Sequence, residues 1–198
     1  MAAARQAEVR RQTRETDVRV ALRLDGQGAC RAETGVGFFD HMLTAFARTA
    51  LLDLEVDCRG DLHVEPHHSV EDVGIVLGQA VREALGDRAG LRRYGSALLP
   101  MDDALARVAL DLSGRPFLVF GVELPLQVLG TFSTDLAPEF WRAVATNAGW
   151  TLHVDLLRSA NAHHALEAVW KACGLALREA VQIEPRIAGP LSTKGVLA

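Results

Sequence analysis

Cysteine is scarce and scattered in this sequence. Cys30, Cys58 and Cys173 are odd in number and far apart, which leaves neither a disulfide framework nor a paired-cysteine metal knuckle. A reducing, cytoplasmic setting is therefore expected. Long hydrophobic runs are missing as well. The longest, around residues 97–99 and 118–122, are strand-sized, well short of the ~20 residues that cross a bilayer, so no membrane is expected. Nor is there a surplus of positive charge: 21 Lys and Arg face 25 Asp and Glu, a formal net charge of −4. That balance gives no reason to expect nucleic acid or an anionic membrane as a partner. Residues 1–18 carry Arg5, Arg10, Arg11 and Arg14 but no apolar stretch, so they do not read as a secretory signal. Aromatic residues make up only 6%. What remains is a chain of 198 residues, 49% hydrophobic and 23% charged, a globular balance with enough apolar residues for a core. One compact domain or two half-size ones would suit that length.

The seven histidines are clustered: His41, His63, His67 and His68, then His153, His163 and His164. Two segments share an HHxxE pattern, His67-His68-Ser69-Val70-Glu71 and His163-His164-Ala165-Leu166-Glu167. A shift of 96 residues aligns 67–85 with 163–181 without a gap, and nine of the 19 positions are identical: His67, His68, Glu71, Val73, Gly78, Ala80, Arg82, Glu83 and Ala84 match their partners. Apolar positions recur in both copies at spacings of three and four, which predicts a helix with one buried face. Val20-Ala-Leu-Arg-Leu-Asp-Gly resembles Val108-Ala-Leu-Asp-Leu-Ser-Gly, an alternating strand running into a turn. Leu62-His63-Val64-Glu65 resembles Leu152-His153-Val154-Asp155, which predicts a strand just before each long helix. Each half thus reads as strands, a helix, a strand and a longer helix. The expected fold is α+β with an internal duplication: two similar half-domains, residues 1–95 and 96–198, each a mixed β-sheet packed with α-helices, together one globular unit. A period this long marks a duplicated domain and not a solenoid.

On a helix, consecutive residues point about 100° apart, whereas residues three or four apart share a face. Glu71 can therefore join His67 around one ion while His68 diverges, and Glu167 can join His163 while His164 diverges. Two such helices facing each other across a pseudo-twofold axis would give each ion a His–Glu pair from one helix and the diverging histidine of the other. Imidazole and carboxylate ligands suit Mn, Fe, Zn or Ni and lack the thiolate of structural zinc sites. A single HHxxE would be read as ordinary helix histidines; two at matched positions require a common cause. His63 and His153 read as structural residues or as supports of a metal ligand, and Arg82-Glu83 and Arg178-Glu179 as solvated helix faces.

Four stretches, in order along the chain, carry a family resemblance: Thr34-Gly-Val-Gly-Phe-Phe-Asp-His-Met-Leu43, Asp61-Leu-His-Val-Glu-Pro-His-His-Ser-Val-Glu-Asp-Val-Gly74, Asn161-Ala-His-His-Ala-Leu-Glu167 and Ser192-Thr-Lys-Gly195. Together they resemble the imidazoleglycerol-phosphate dehydratases of histidine biosynthesis, over about residues 14–197. The resemblance implies a lyase that removes water from imidazole glycerol phosphate to give imidazole acetol phosphate, a non-redox elimination. It also implies two Mn2+ per active site that bind the substrate's imidazolate, and a homo-oligomeric shell of 24 chains with sites between subunits. Carried over position by position, His41, His67, His68, Glu71, His163, His164 and Glu167 match its metal ligands. The geometric reading groups His67, Glu71 and His164 on one ion, and His163, Glu167, His68 and His41 on the other. Glu15 matches the acid that moves protons at the reacting carbons. Arg93, Arg115, Lys171, Ser192 and Lys194 match the contacts to the substrate's phosphate, a sensible use of guanidinium forks and a point charge. Lys171, at i+4 from Glu167, shares its helix face. Asp102 is a further candidate near the site, with Asp103 an equal one.

Two positions depart from the family pattern. Glu139 stands where a ligand histidine matching His41 is usual, and is expected to ligate in its place. Glu65-Pro66 replaces a pair of aspartates, with Pro66 suited to a helix start. A dinuclear metallohydrolase acting on a small phosphorylated substrate, and a non-catalytic metal-storage shell, are the alternative readings.

Overall fold

The computed structural model describes residues 4–195 and 197. The first half runs β1 (Gln6–Gln12), β2 (Thr16–Arg23), β3 (Cys30–Glu33), α1 (Gly37–Ala50), β4 (Asp53–Gly60) and α2 (His67–Leu85). The second repeats that order as β5 (Tyr94–Met101), β6 (Ala104–Asp111), β7 (Phe117–Gly121), α3 (Leu136–Ala148), β10 (Thr151–Arg158) and α4 (Ala162–Ala180), with a small hairpin, β8 (Val128–Leu129) and β9 (Phe132–Ser133), inserted before α3. Each half forms a four-stranded mixed sheet, ordered β1-β2-β4-β3 in the first and β5-β6-β10-β7 in the second. The last-listed pair in each sheet is parallel and the others are antiparallel. The duplication extends to register: Val20 pairs with Val56, and Val108 with Val154. This is the α+β duplicated fold expected from the repeat.

One face of each sheet is buried, as the strict alternation along β2 and β6 requires. The helices lie on those faces, with α2 on β1 and β2, α4 on β5 and β6, and the two helix layers pressed together between the sheets. The core they enclose includes Phe39, Phe46, Trp141, Trp150 and Trp170, all nearly inaccessible. The outer faces differ. That of the first sheet is crossed by ion pairs, Arg19 with Glu8, Glu55 and Asp57, and Arg31 with Glu33 and Asp57. That of the second leaves Tyr94, Leu98, Phe117 and Val119 exposed.

Two sequence expectations are corrected. Residues 62–65 are not a strand. The strand before α2 is β4, whose Leu54 and Val56 correspond to Leu152 and Val154, and it ends at Gly60. A turn follows, closed by Val64 N–H donating to the Asp61 carbonyl at 2.8 Å, and Val64 is 62% exposed. Pro66 caps α2 from outside. Secondly, the two histidine-bearing helices do not face each other. Helix α2 packs on α3, and α4 packs on α1, so each long helix is paired with the short helix of the other half.

Glycines explain that pairing. A Cβ on Gly78 of α2 would come within 2.7 Å of the Val144 carbonyl oxygen on α3, and one on Gly174 of α4 within 2.6 Å of the Phe46 carbonyl oxygen on α1. These are the repeated glycines of the aligned segments, retained where backbones touch. Gly174→Ala is expected to destabilise the protein by about 1–3 kcal/mol through overpacking, despite alanine's better helix propensity. A drop in the thermal midpoint checks it; an unchanged or raised midpoint contradicts the close-approach account.

Candidate active site

The site is built at the N-termini of the two long helices. Asn161 caps α4, its side chain accepting from the backbone N–H of His163 (2.8 Å) and of His164 (3.4 Å), which fixes both histidines in the first turn. Helix α1 is set by Thr34, whose N–H and hydroxyl both donate to Asp40 at 3.0 and 2.6 Å, placing His41 just inside the helix. The α1–α4 contact then brings His41, His163 and Glu167 together. Their ligand atoms all lie within 4.8 Å of one another.

Glu167 is the centre of that cluster. It is 7% exposed, its Oε2 faces His163 Nε2 at 3.1 Å and His41 Nε2 at 3.4 Å, and its Oε1 accepts from Lys171 Nζ at 2.5 Å. Burial alone would raise this carboxyl, but Lys171 and His41 outweigh it and hold it below its ordinary value. Lys171 thus shares the helix face of Glu167, as its i+4 spacing predicted, and is paired with that carboxylate, with Met101 Sδ as its other neighbour at 3.6 Å. It is not among the residues that line the cationic cleft described below.

The first half repeats this frame with different chemistry. His67 Nε2 is 3.9 Å from Glu71 Oε2, and Glu71 is far more exposed than Glu167. Ile75 stands where the repeat would place Lys171, and Glu139 where it would place His41. Glu139 is ion-paired with Arg142 on the outside of its own helix. The expected grouping of ligands across the two halves is not found within one chain. His41 does join His163 and Glu167, but each half otherwise keeps its own histidines, because α2 and α4 pack on different partners.

The diverging histidines are held by other acids. His68 Nδ1 lies 3.0 Å from Asp61 and 3.9 Å from Glu15. His164 Nδ1 donates to Asp103 at 2.5 Å, while Asp102 lies 3.6 Å from its Nε2. Both rings are raised above the ordinary histidine value, chiefly by the hydrogen bond to Asp61 or Asp103. Asp103 is in turn held well below the usual carboxylate range by His164 and by the N–H groups of Ala160 and Asn161. Of the two aspartates left open by the sequence, Asp103 makes the closer contact. Asp61 was not singled out in the sequence, although it opens one of the family stretches.

At the far end of α4 a cleft of about 810 Å³ is lined by Arg93, Arg115, Arg186, Ser192 and Lys194. Arg115 and Lys194 are exposed. Arg93 is nearly buried, and its fork grips Asp111 at 2.7 and 3.0 Å while a third donor reaches the Leu191 carbonyl at 2.7 Å. It anchors the C-terminal segment that carries Ser192 and Lys194. Its backbone N–H donates to Ala180, the last residue of α4. Seventeen residues separate Ala180 from His163, about 26 Å of helix at 1.5 Å per residue. The metal-type cluster and the cationic cleft of one chain are therefore far apart.

Duplicated α+β halves with a His–carboxylate cluster at the head of each long helix define a class of chain shared with known proteins. A profile described as imidazoleglycerol-phosphate dehydratase matches residues 34–177. The imidazoleglycerol-phosphate dehydratase of Desulfitobacterium hafniense (strain Y51) is 56% identical over 193 residues, 98% of each chain. That of Azorhizobium caulinodans is 57% identical over 98% of each chain. Among solved structures, the Staphylococcus aureus enzyme superposes with a TM-score of 0.82 at 41% identity, covering 90% of this chain and 99% of that one. The Pyrococcus furiosus enzyme, solved in complex with (S)-C348, gives 0.82 at 38% identity over 96% and 100%. The chain belongs to the imidazoleglycerol-phosphate dehydratase family.

Proposed function

We propose that this chain removes water from imidazole glycerol phosphate to give imidazole acetol phosphate, using two divalent metal ions per site, with Mn2+ the expected ion. Family membership supports the reaction. The observation that carries the site is the convergence of His41, His163 and Glu167. Their donors fit a divalent ion: imidazole nitrogens and a carboxylate oxygen, with no thiolate. These three would hold one ion, His67 and Glu71 begin the second set, and His68 and His164 offer Nε2 atoms to complete them. Glu139 is a further candidate ligand if its pairing with Arg142 is given up. When bound, the cations would stabilise negative charge on the substrate's imidazole, the electron sink that loss of a hydroxyl from an unactivated carbon needs.

The chain's own groups do the rest. Glu15, on the turn before β2, moves a proton at the reacting carbon, and Asp102 is a second acid at the His164 side. Arg115, Ser192 and Lys194 receive the phosphate, and Arg93 holds their segment in place. A small phosphorylated imidazole cannot bridge about 26 Å of helix. The cluster and the cleft that serve one substrate therefore come from different chains of a homo-oligomer, a shell of 24 chains with sites between subunits. The exposed Tyr94, Leu98 and Phe117 on the second sheet support burial against other chains. Among the described residues no helix is long and apolar enough to cross a membrane, and a cytoplasmic location is proposed.

Incubation of the purified protein with Mn2+ and imidazole glycerol phosphate tests this reading. Accumulation of imidazole acetol phosphate, lost on chelation, is expected. Release of inorganic phosphate without that product would instead favour a metallohydrolase.

A further inference from the structure

We propose that Asp61 and Asp103 are positioning residues that lock His68 and His164 in one tautomer, and that Asp61 frees Glu15 for proton transfer. This rests on the metal-binding reading above. An ionised carboxylate only accepts hydrogen bonds, so the ring nitrogen facing it must be the N–H. Asp61 faces His68 Nδ1 at 3.0 Å, and Asp103 faces His164 Nδ1 at 2.5 Å. Each neutral ring then carries its lone pair on Nε2, the atom a metal needs, and cannot rotate away without breaking the bond.

The two acids come from different places in the duplicated fold. A shift of 88 residues, which matches Val20 with Val108, also matches Glu15 on the β1–β2 turn with Asp103 on the β5–β6 turn. By symmetry Glu15 should hold His68 as Asp103 holds His164. Instead Asp61, from the loop between β4 and α2, has taken that bond. Glu15 is left at 3.9 Å, with its side chain 56% exposed. Asp103 has no such freedom, because it also accepts from Ala160 and Asn161 N–H at 2.5 and 3.0 Å. One hairpin acid is structural, and its counterpart is released for chemistry.

Mn2+ affinity, read by electron paramagnetic resonance of the free ion, is the test. Asp61→Ala and Asp103→Ala are expected to weaken binding about 10- to 100-fold. Asp61→Asn, whose amide oxygen still accepts from Nδ1–H, is expected to restore most of it, whereas Asp103 needs both oxygens, one for His164 and one for the Ala160 and Asn161 N–H groups, and has no such rescue. Alanine variants that bind as tightly as the unaltered protein overturn the proposal, as does an Asp61→Asn variant no better than Asp61→Ala. Neutron diffraction of metal-free protein reads the ring protons directly. A proton on Nδ1 of both rings supports the proposal, and a ring with no proton on Nδ1 overturns it. If the unaltered protein takes up no Mn2+, the metal-binding reading fails, and the neutron map alone decides this inference.

Discussion

Glu15→Gln is expected to lower kcat about 10²- to 10⁴-fold, the usual range for loss of a general acid or base, with Mn2+ content and KM little changed. The expectation follows from where Glu15 sits. The Thr13 hydroxyl accepts from the N–H groups of Glu15 and Thr16 at 3.1 and 3.0 Å, which fixes the turn without using the Glu15 carboxylate. That carboxylate points toward His68 yet makes no hydrogen bond with it at 3.9 Å. It is thus placed beside a proposed metal ligand while remaining free to exchange a proton. Glutamine keeps the shape and removes only the proton chemistry. Turnover near that of the unaltered enzyme would refute the role, and parallel loss of Mn2+ would reassign Glu15 as a ligand or support.

Glu167→Gln is expected to act on the other side of the chemistry, weakening Mn2+ binding in its cluster by at least about 100-fold, since loss of a mere supporting partner already costs 10- to 100-fold. The Glu167 carboxylate receives His41, His163 and Lys171 at once and is nearly buried. An amide cannot neutralise Lys171, so the substitution removes a charged ligand and leaves a cation against the remaining imidazoles. Metal analysis should show about half the Mn2+ retained, on the first half's ligands, with activity lost. Full Mn2+ content would show that the cluster is not where the ion binds.

Much of this was legible in the residues. The repeat, the two long helices and the separation of His67 from His68 all follow from spacing, because helical periodicity is a local property. The i+4 placement of Lys171 beside Glu167 was readable for the same reason. What the chain packs against was not. Nothing in the periodicity of α2 says that it meets α3 and not α4, and glycines such as Gly74, Gly78 and Gly174 are the hint of close backbones. The alternation at Leu62-His63-Val64-Glu65 imitated a strand, but β4 already supplies the strand that pairs with β2, leaving these residues to a turn. Arg93 looked like a phosphate contact by motif, and the structure adds an internal duty to Asp111 and Leu191 that no local pattern encodes. The charge of −4 likewise hid its arrangement: arginines largely paired across one sheet, with Arg115 and Lys194 exposed at the cleft.

Co-assembly of Glu167→Gln chains with Arg115→Ala chains, each expected to be inactive alone, tests most directly the proposal that the cluster and the cleft of one chain serve different sites. If each site draws its cluster from one chain and its cleft from another, random assembly in equal amounts leaves about one quarter of the sites intact, and activity returns to about that fraction. Mixed assemblies as inactive as either parent would place both groups in the same chain's site and contradict the account.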